Sequence, residues 1–185
     1  AACLQGQAWR DAGLPPIPVA VNLSAREFND ERLAFEIAQA VVDASFDARL
    51  LELEITESLV MQDPDRAVET LAQLKSMGVR ISIDDFGTGH SSLARLSKLP
   101  VDSLKIDGAL IRDIATDADD AAIASAVIAM AASLRLTSIA EGVEEAGQLS
   151  FLKARGCNEM QGYLTSRPVP AAEIAAFVRR AGCGR

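Results

Sequence analysis

The sequence predicts an α/β fold: a (β/α)8 TIM-like barrel of which about six βα units are present. Three observations predict it. Six apolar, strand-like runs alternate with stretches of helical periodicity. Each run is interrupted at its C-terminal end by a polar side chain that core packing would not select. No GxGxxG follows the first run, which weighs against the competing open, doubly wound sheet of a dinucleotide-binding protein.

The elements follow in order. The chain opens on AACLQGQAWRDAG, a helical pattern stopped by Gly13 and the following LPP, with no Ser, Thr, Asp or Asn ahead of it, so it is expected to begin inside a helix. The strand PVAVNLS leads to the helical stretch EFNDERLAFEIAQAVVDASF. LLELEIT leads to DPDRAVETLAQLKSMG, with Pro64 suited to a first helical turn and Gly78 to a stop. VRISIDDF precedes a short SSLARLSKL, and SLKID precedes a long Ala-rich helix ending near Arg135. TSIAEG precedes EEAGQLSFLKARG, and MQGYLTS is the sixth strand. The terminal helix PVPAAEIAAFVRRAGCGR closes with basic residues and Gly182.

Composition sets the bounds. With 185 residues and 49% hydrophobic content the chain is a single domain with a sizeable core. Its most apolar segment, from Ala121 to Ser133, is too short to span a bilayer, and no secretory signal pattern is present. Cys3, Cys157 and Cys183 have no metal-type spacing and suit a reducing cytoplasm. A net charge of -8 weighs against a nucleic-acid polymer as partner, while leaving room for a small anion bound through metal ions.

Strands of a parallel sheet end on one face, so Asn22, Glu54, Asp84, Asp85, Lys105, Glu141 and Gln161 are expected to converge there. A barrel gathers them around one mouth. Carboxylates crowded together repel unless cations neutralise them, and an all-oxygen set without His or Cys suits Mg²⁺ or Mn²⁺. Two such ions about 3.5–4 Å apart would suit in-line attack of water on a phosphoryl group. Each residue also has a bland reading. Paired aspartates before glycines cap and turn, Asn22 with Ser24 could cap a helix, Lys105 could be a surface lysine, and Glu141 before Gly142 a helix-start residue. Glu57, Glu144 and Glu159 could be solvated charges, and His90 reads as structural. Joint placement at successive strand ends favours the site.

VNLSA, ELEITES, DDFGTGHSS, SLKID, AEGVE and QGYLTSRP occur in the order and approximate spacing of the EAL-domain cyclic-di-GMP phosphodiesterases, which the whole chain resembles. The resemblance implies hydrolysis of this bacterial second messenger to linear pGpG. It implies metal ligation by Asn22, Glu54, Asp84, Asp85 and Glu141. Catalytic roles fall to Lys105, which orients or assists the attacking water, and to Asp85 and Glu141. Substrate contact falls to Gln161, Asp107, Glu144 and Pro168. Phe86, Gly87, Thr88, Gly89 and His90 match a regulatory loop coupled to dimerisation, with Glu57 steadying it. The implied partners are cyclic-di-GMP, a second copy of the chain in a homodimer, and sensory or cyclase domains of a parent protein. No membrane contact is expected from this domain, which is placed in the cytoplasm.

The sequence departs from the family in two places. His90 stands where a tyrosine is common, and the Glu-Ala-Leu signature with its metal-ligand glutamate is absent. A typical barrel of about 250 residues exceeds this chain by roughly 65. The expectation is therefore one EAL-type domain over residues 1–185, N-terminally truncated, with exposed strand edges and weak or no turnover by itself. The alternative function is a catalytically inactive nucleotide-sensing or protein-interaction module.

Overall fold

The computed structural model describes residues 1–87 and 93–182. Six strands form one sheet in the order β1-β2-β3-β4-β5-β6, every neighbouring pair parallel. They are β1 (Val19–Asn22), β2 (Leu51–Thr56), β3 (Arg80–Phe86), β4 (Ser103–Ile106), β5 (Thr137–Ala140) and β6 (Glu159–Met160). This sequential order, with helical crossovers between parallel neighbours, is that of a TIM-like barrel, and the sheet curls as part of one. The sheet that sequence alternation predicts is therefore present.

Local chemistry explains where the helices lie. Helix α1 (Ala2–Asp11) has no side-chain cap. After β1 the predicted single helix is split in two. Ser24 and Glu27 form a reciprocal capping box on α2 (Ala25–Phe28), and α3 (Leu33–Asp43) starts afresh. Ser24 thus does the capping, and Asn22 stays at the strand end. A 3₁₀ turn (Ala48–Leu50) leads into β2, and α4 (Glu57–Gln62) follows it directly. Asp63 accepts from Arg66 N at 3.2 Å at the start of α5 (Pro64–Ser76), with Pro64 in the first turn as expected. Helix α6 (Leu93–Leu96) is short. Asp107 caps α7 (Gly108–Arg112), and Asp117 caps α8 (Ala118–Leu134) through Asp119 N and Asp120 N. Arg135 ends α8 in the left-handed conformation. Helices α9 (Ala146–Ala154) and α10 (Ala171–Gly182) complete the chain.

The sixth strand is shorter than MQGYLTS predicts. Only Glu159 and Met160 pair with β5, and the chain then turns back, Leu164 N donating to Val143 O at 3.0 Å and Thr165 N to Gly162 O at 3.1 Å. Gly162 is needed for this approach, since a Cβ there would lie 2.1 Å from Val143 O.

The two faces of the sheet differ. Leu53, Ile55, Ile81, Ile83, Leu104 and Ile106 point outward against the helices and are fully buried with Leu71, Leu74 and Ile111. Each side chain of this size buried adds about 1.5–3 kcal/mol. The opposite face carries Glu52, Glu54, Ser82, Ser103 and Lys105, all buried, because curling closes the middle strands over one another. On the outermost strands that face is open, and Ala20, Asn22 and Glu159 are exposed. No helix among the described residues is long and apolar enough to cross a membrane.

Candidate metal and substrate site

Four strand ends meet around one lysine. Lys105, near the end of β4, reaches Glu54 Oε1 on β2 at 2.8 Å, Asp84 Oδ1 on β3 at 3.2 Å, and Glu141 Oε1 just beyond β5 at 2.7 Å. Its side chain is 4% exposed. Burying an ammonium costs several kcal/mol, about what a good ionic contact returns, so several partners are needed to hold one there. Burial pulls the Lys105 pKa down, but the hydrogen bonds and charges of Glu141 and Glu54 outweigh it and carry the group well above the ordinary lysine value. Glu141 moves up as well. Its burial outweighs the pull of Lys105, and Asp84 and Glu54 repel it while sharing the same cation.

Asp85 answers why two acidic residues stand side by side at this strand end. Neighbours in a regular strand face opposite sides. Between Ile83 and Phe86, however, the register of β3 against β4 shifts, and Asp85 takes a φ of 55°. This bulge brings both carboxylates to the mouth. Left-handed backbone costs about 1–2 kcal/mol, and aspartate is among the residues that tolerate it. Carboxylate oxygens of Asp84, Asp85 and Glu141 consequently lie within 4.8 Å of one another. Burial raises the Asp85 pKa, and repulsion from Asp84 and Asp107 adds to it against the pull of Lys105.

Most of the other sequence candidates sit at or just after strand ends. Asn22 ends β1 opposite Glu54 in the register and is exposed. Gln161 follows β6, its N–H donating to Ala140 O at 2.8 Å and its carbonyl accepting from Val143 N at 3.0 Å. With Tyr163, Arg167 and Pro168 it lines a groove of about 390 Å³ against Ile174 and Phe177 of α10. Asp107 spends its Oδ1 on capping Ala109 N at 2.7 Å and stands near enough to Asp85 to raise its pKa. Glu144 is exposed, held through its backbone N–H to Gln148 Oε1 at 2.7 Å. Glu57 is buried at the start of α4, and its Oε2 accepts from Gly87 N at 3.3 Å, directly after the buried Phe86. Thr88, Gly89 and His90 lie outside the described residues.

The sequence reading missed a second polar tier. Glu52 accepts a hydrogen bond from Ser82 Oγ, Ser82 also bonds Ser103 Oγ, and Ser103 Oγ lies 3.3 Å from Glu52 Oε1. Arg80 Nε stands 4.0 Å from Glu52 Oε2. Each member sits two residues before a member of the first cluster: Glu52 before Glu54, Ser82 before Asp84, Ser103 before Lys105. A period of two along a strand was the signal that pointed to them.

An oxygen-only donor set with several carboxylates fits a hard divalent cation. The arrangement is a parallel α/β barrel section with an acidic mouth at the C-terminal strand ends, where barrels of this kind carry their active sites. Comparison with known proteins narrows that class. Residues 1–168 match the family model of the EAL domain, and the chain belongs to that family. It is 47% identical over 177 residues to the bifunctional diguanylate cyclase/cyclic di-GMP phosphodiesterase MucR of Pseudomonas aeruginosa, covering 96% of this chain and 26% of that protein. It thus spans about a quarter of that relative's length. The solved PaMucR phosphodiesterase in complex with c-di-GMP superposes with a TM-score of 0.90 at 47% identity, covering 94% of this chain and 70% of that one. A manganese/cy-diGMP complex of Klebsiella pneumoniae BlrP1 superposes at 0.80 with 28% identity, covering 90% and 42%.

Proposed function

We propose that the chain belongs to a metal-dependent phosphodiesterase domain that, when intact, hydrolyses cyclic-di-GMP to linear pGpG. The observation that carries this reading is the cluster of Glu54, Asp84, Asp85 and Glu141 around Lys105, set at strand ends in a family whose relatives are named for this activity. Asn22, Glu54, Asp84, Asp85 and Glu141 would hold divalent cations, with Mg²⁺ or Mn²⁺ matching the donors. Bound there, the cations supply Lewis-acid activation of water and neutralise charge on the phosphoryl oxygens.

The chain's own residues supply the rest. Lys105, gripped as an ammonium, donates to and orients the attacking water. Asp85 and Glu141, the acids beside that lysine and Asp84, are assigned to take the water's proton. The hydroxyl adds to phosphorus, one ring P–O bond breaks, and the leaving ribose oxygen takes up a proton. Gln161, Asp107, Glu144 and Pro168 are assigned to contact with the nucleotide. Glu57 holds the loop that begins with Phe86 and Gly87, which we assign to a homodimer contact. Sensory or cyclase domains in the same polypeptide and a cytoplasmic location complete the reading.

The test is incubation of the intact domain with cyclic-di-GMP and Mn²⁺ or Mg²⁺, with chromatographic detection of pGpG. Product formation that a chelator stops is expected. Binding of cyclic-di-GMP with no pGpG under any divalent ion would replace the enzyme reading with that of a sensing module.

A further inference from the structure

Lys105 and a divalent cation draw on the same oxygens. Asp84 and Glu141, two of the three acids in the tight carboxylate set, are also two of the three ion-pair partners of Lys105 Nζ, and Glu54 is the third. We propose that Lys105 is a built-in counter-ion that competes with divalent metal for Glu54, Asp84 and Glu141, holding these side chains together until a metal draws them away. The proposal rests on the reading of this cluster as a metal site.

The charge balance supports it. One ammonium faces three carboxylates within 3.2 Å, and its side chain is almost entirely buried, so solvent screens these pairs weakly. A divalent ion entering the cluster must share acceptors with this ammonium and also bear its repulsion at short range. Replacing the lysine with an uncharged chain of similar shape removes the competitor and leaves the three acids in place. The same change leaves buried like charges together without a cation, so the altered protein should be less stable before metal is added and gain more from it. A lysine serving only to orient water predicts neither effect.

The experiment is calorimetric titration of wild type and Lys105→Met with Mn²⁺ alone, without nucleotide. Binding at least about tenfold tighter in the variant is expected, because a repulsive charge at short range is removed, together with a larger metal-induced rise in melting temperature. Equal or weaker binding in Lys105→Met overturns the competition and leaves the metal site intact. Binding by neither protein overturns both the competition and the metal-site reading. Should Lys105→Met fail to fold, the wild type still decides. Lys105 is buried, Lys75 is half-buried against Asp102, and Lys98 and Lys153 are exposed, so the Lys105 ammonium is expected to give the slowest-exchanging lysine Nζ resonance. Titration with diamagnetic Mg²⁺, followed in parallel at the Asp84 and Asp85 amides, is expected to shift or broaden that resonance as the amides move. An unchanged ammonium signal at amide saturation overturns the proposal.

Discussion

Two polar tiers lie one above the other on the inner face of the same three strands. In the lower, Glu52 is met by two serine hydroxyls and has Arg80 at 4.0 Å, so its charge is balanced within the tier. In the upper, Glu54, Asp84 and Glu141 share one lysine, with Asp85 beside them, leaving a surplus of negative charge. Both tiers are buried at their centre, and both sit on well-packed strands. The difference teaches that polarity inside a barrel does not by itself mark a site. The lower tier is self-satisfied and needs nothing further, whereas the upper is unbalanced in a way that an external cation would correct.

The largest expected effect tests the upper tier. Asp84→Ala should cut pGpG formation by the intact domain by about a thousandfold or more and abolish Mn²⁺ binding in calorimetry. Its melting temperature should hold, because Lys105 then balances two acids more evenly. A collapse in stability would mean that this tier is structural like the one below. Next comes the turn that carries Gln161. Gly162→Ala should lose about 3 kcal/mol in denaturant unfolding, since the new methyl meets the Val143 backbone, which cannot move aside as a side chain could. A smaller effect is expected in the lower tier. Ser82→Ala should cost about 1–2 kcal/mol by weakening the hydrogen bonding of buried Glu52, with Mn²⁺ affinity unchanged. If metal affinity falls as far as in Asp84→Ala, the two tiers act as one unit.

The smallest effect lies outside both tiers and serves as their control. Asp47 accepts from the Arg49 guanidinium at 2.8 Å and from Arg49 N at 3.0 Å, which lowers its pKa to about 2. A carboxyl depressed in the folded state contributes stability that is present above its unfolded value of 3.8 and is lost as pH falls from there through about 2. Asp47→Asn should flatten only that acid limb in pH-dependent melting, leaving Mn²⁺ affinity untouched.

Much of this was readable from residues alone, for physical reasons that differ by element. Strand and helix alternation exposed the parallel sheet because outward positions such as Leu53, Ile81 and Leu104 must be apolar to pack against helices. The upper tier showed because Glu54, Lys105 and Glu141 break apolar runs at their ends. The bulge at Asp85 did not show, since its left-handed backbone leaves no sign in a sequence that reads only Asp-Asp. MQGYLTS reads as a strand because its apolar residues mimic one, while the approach of Gly162 to Val143 that ends the strand depends on tertiary packing. Glu52, Ser82 and Ser103 were passed over because each alone is an ordinary strand residue, and their meaning lies in contacts between strands.

Because each inner strand lies between its predecessor and its successor in the chain, the charged rim is gathered in the order in which a ribosome would deliver it. Glu54 and Asp84 emerge first as two facing acids, Lys105 follows to reconcile them, and Glu141 closes the group only after the long crossover helix α8 has been made. During vectorial synthesis the nascent rim would therefore stay net negative throughout, its charge eased when Lys105 arrives and restored by Glu141.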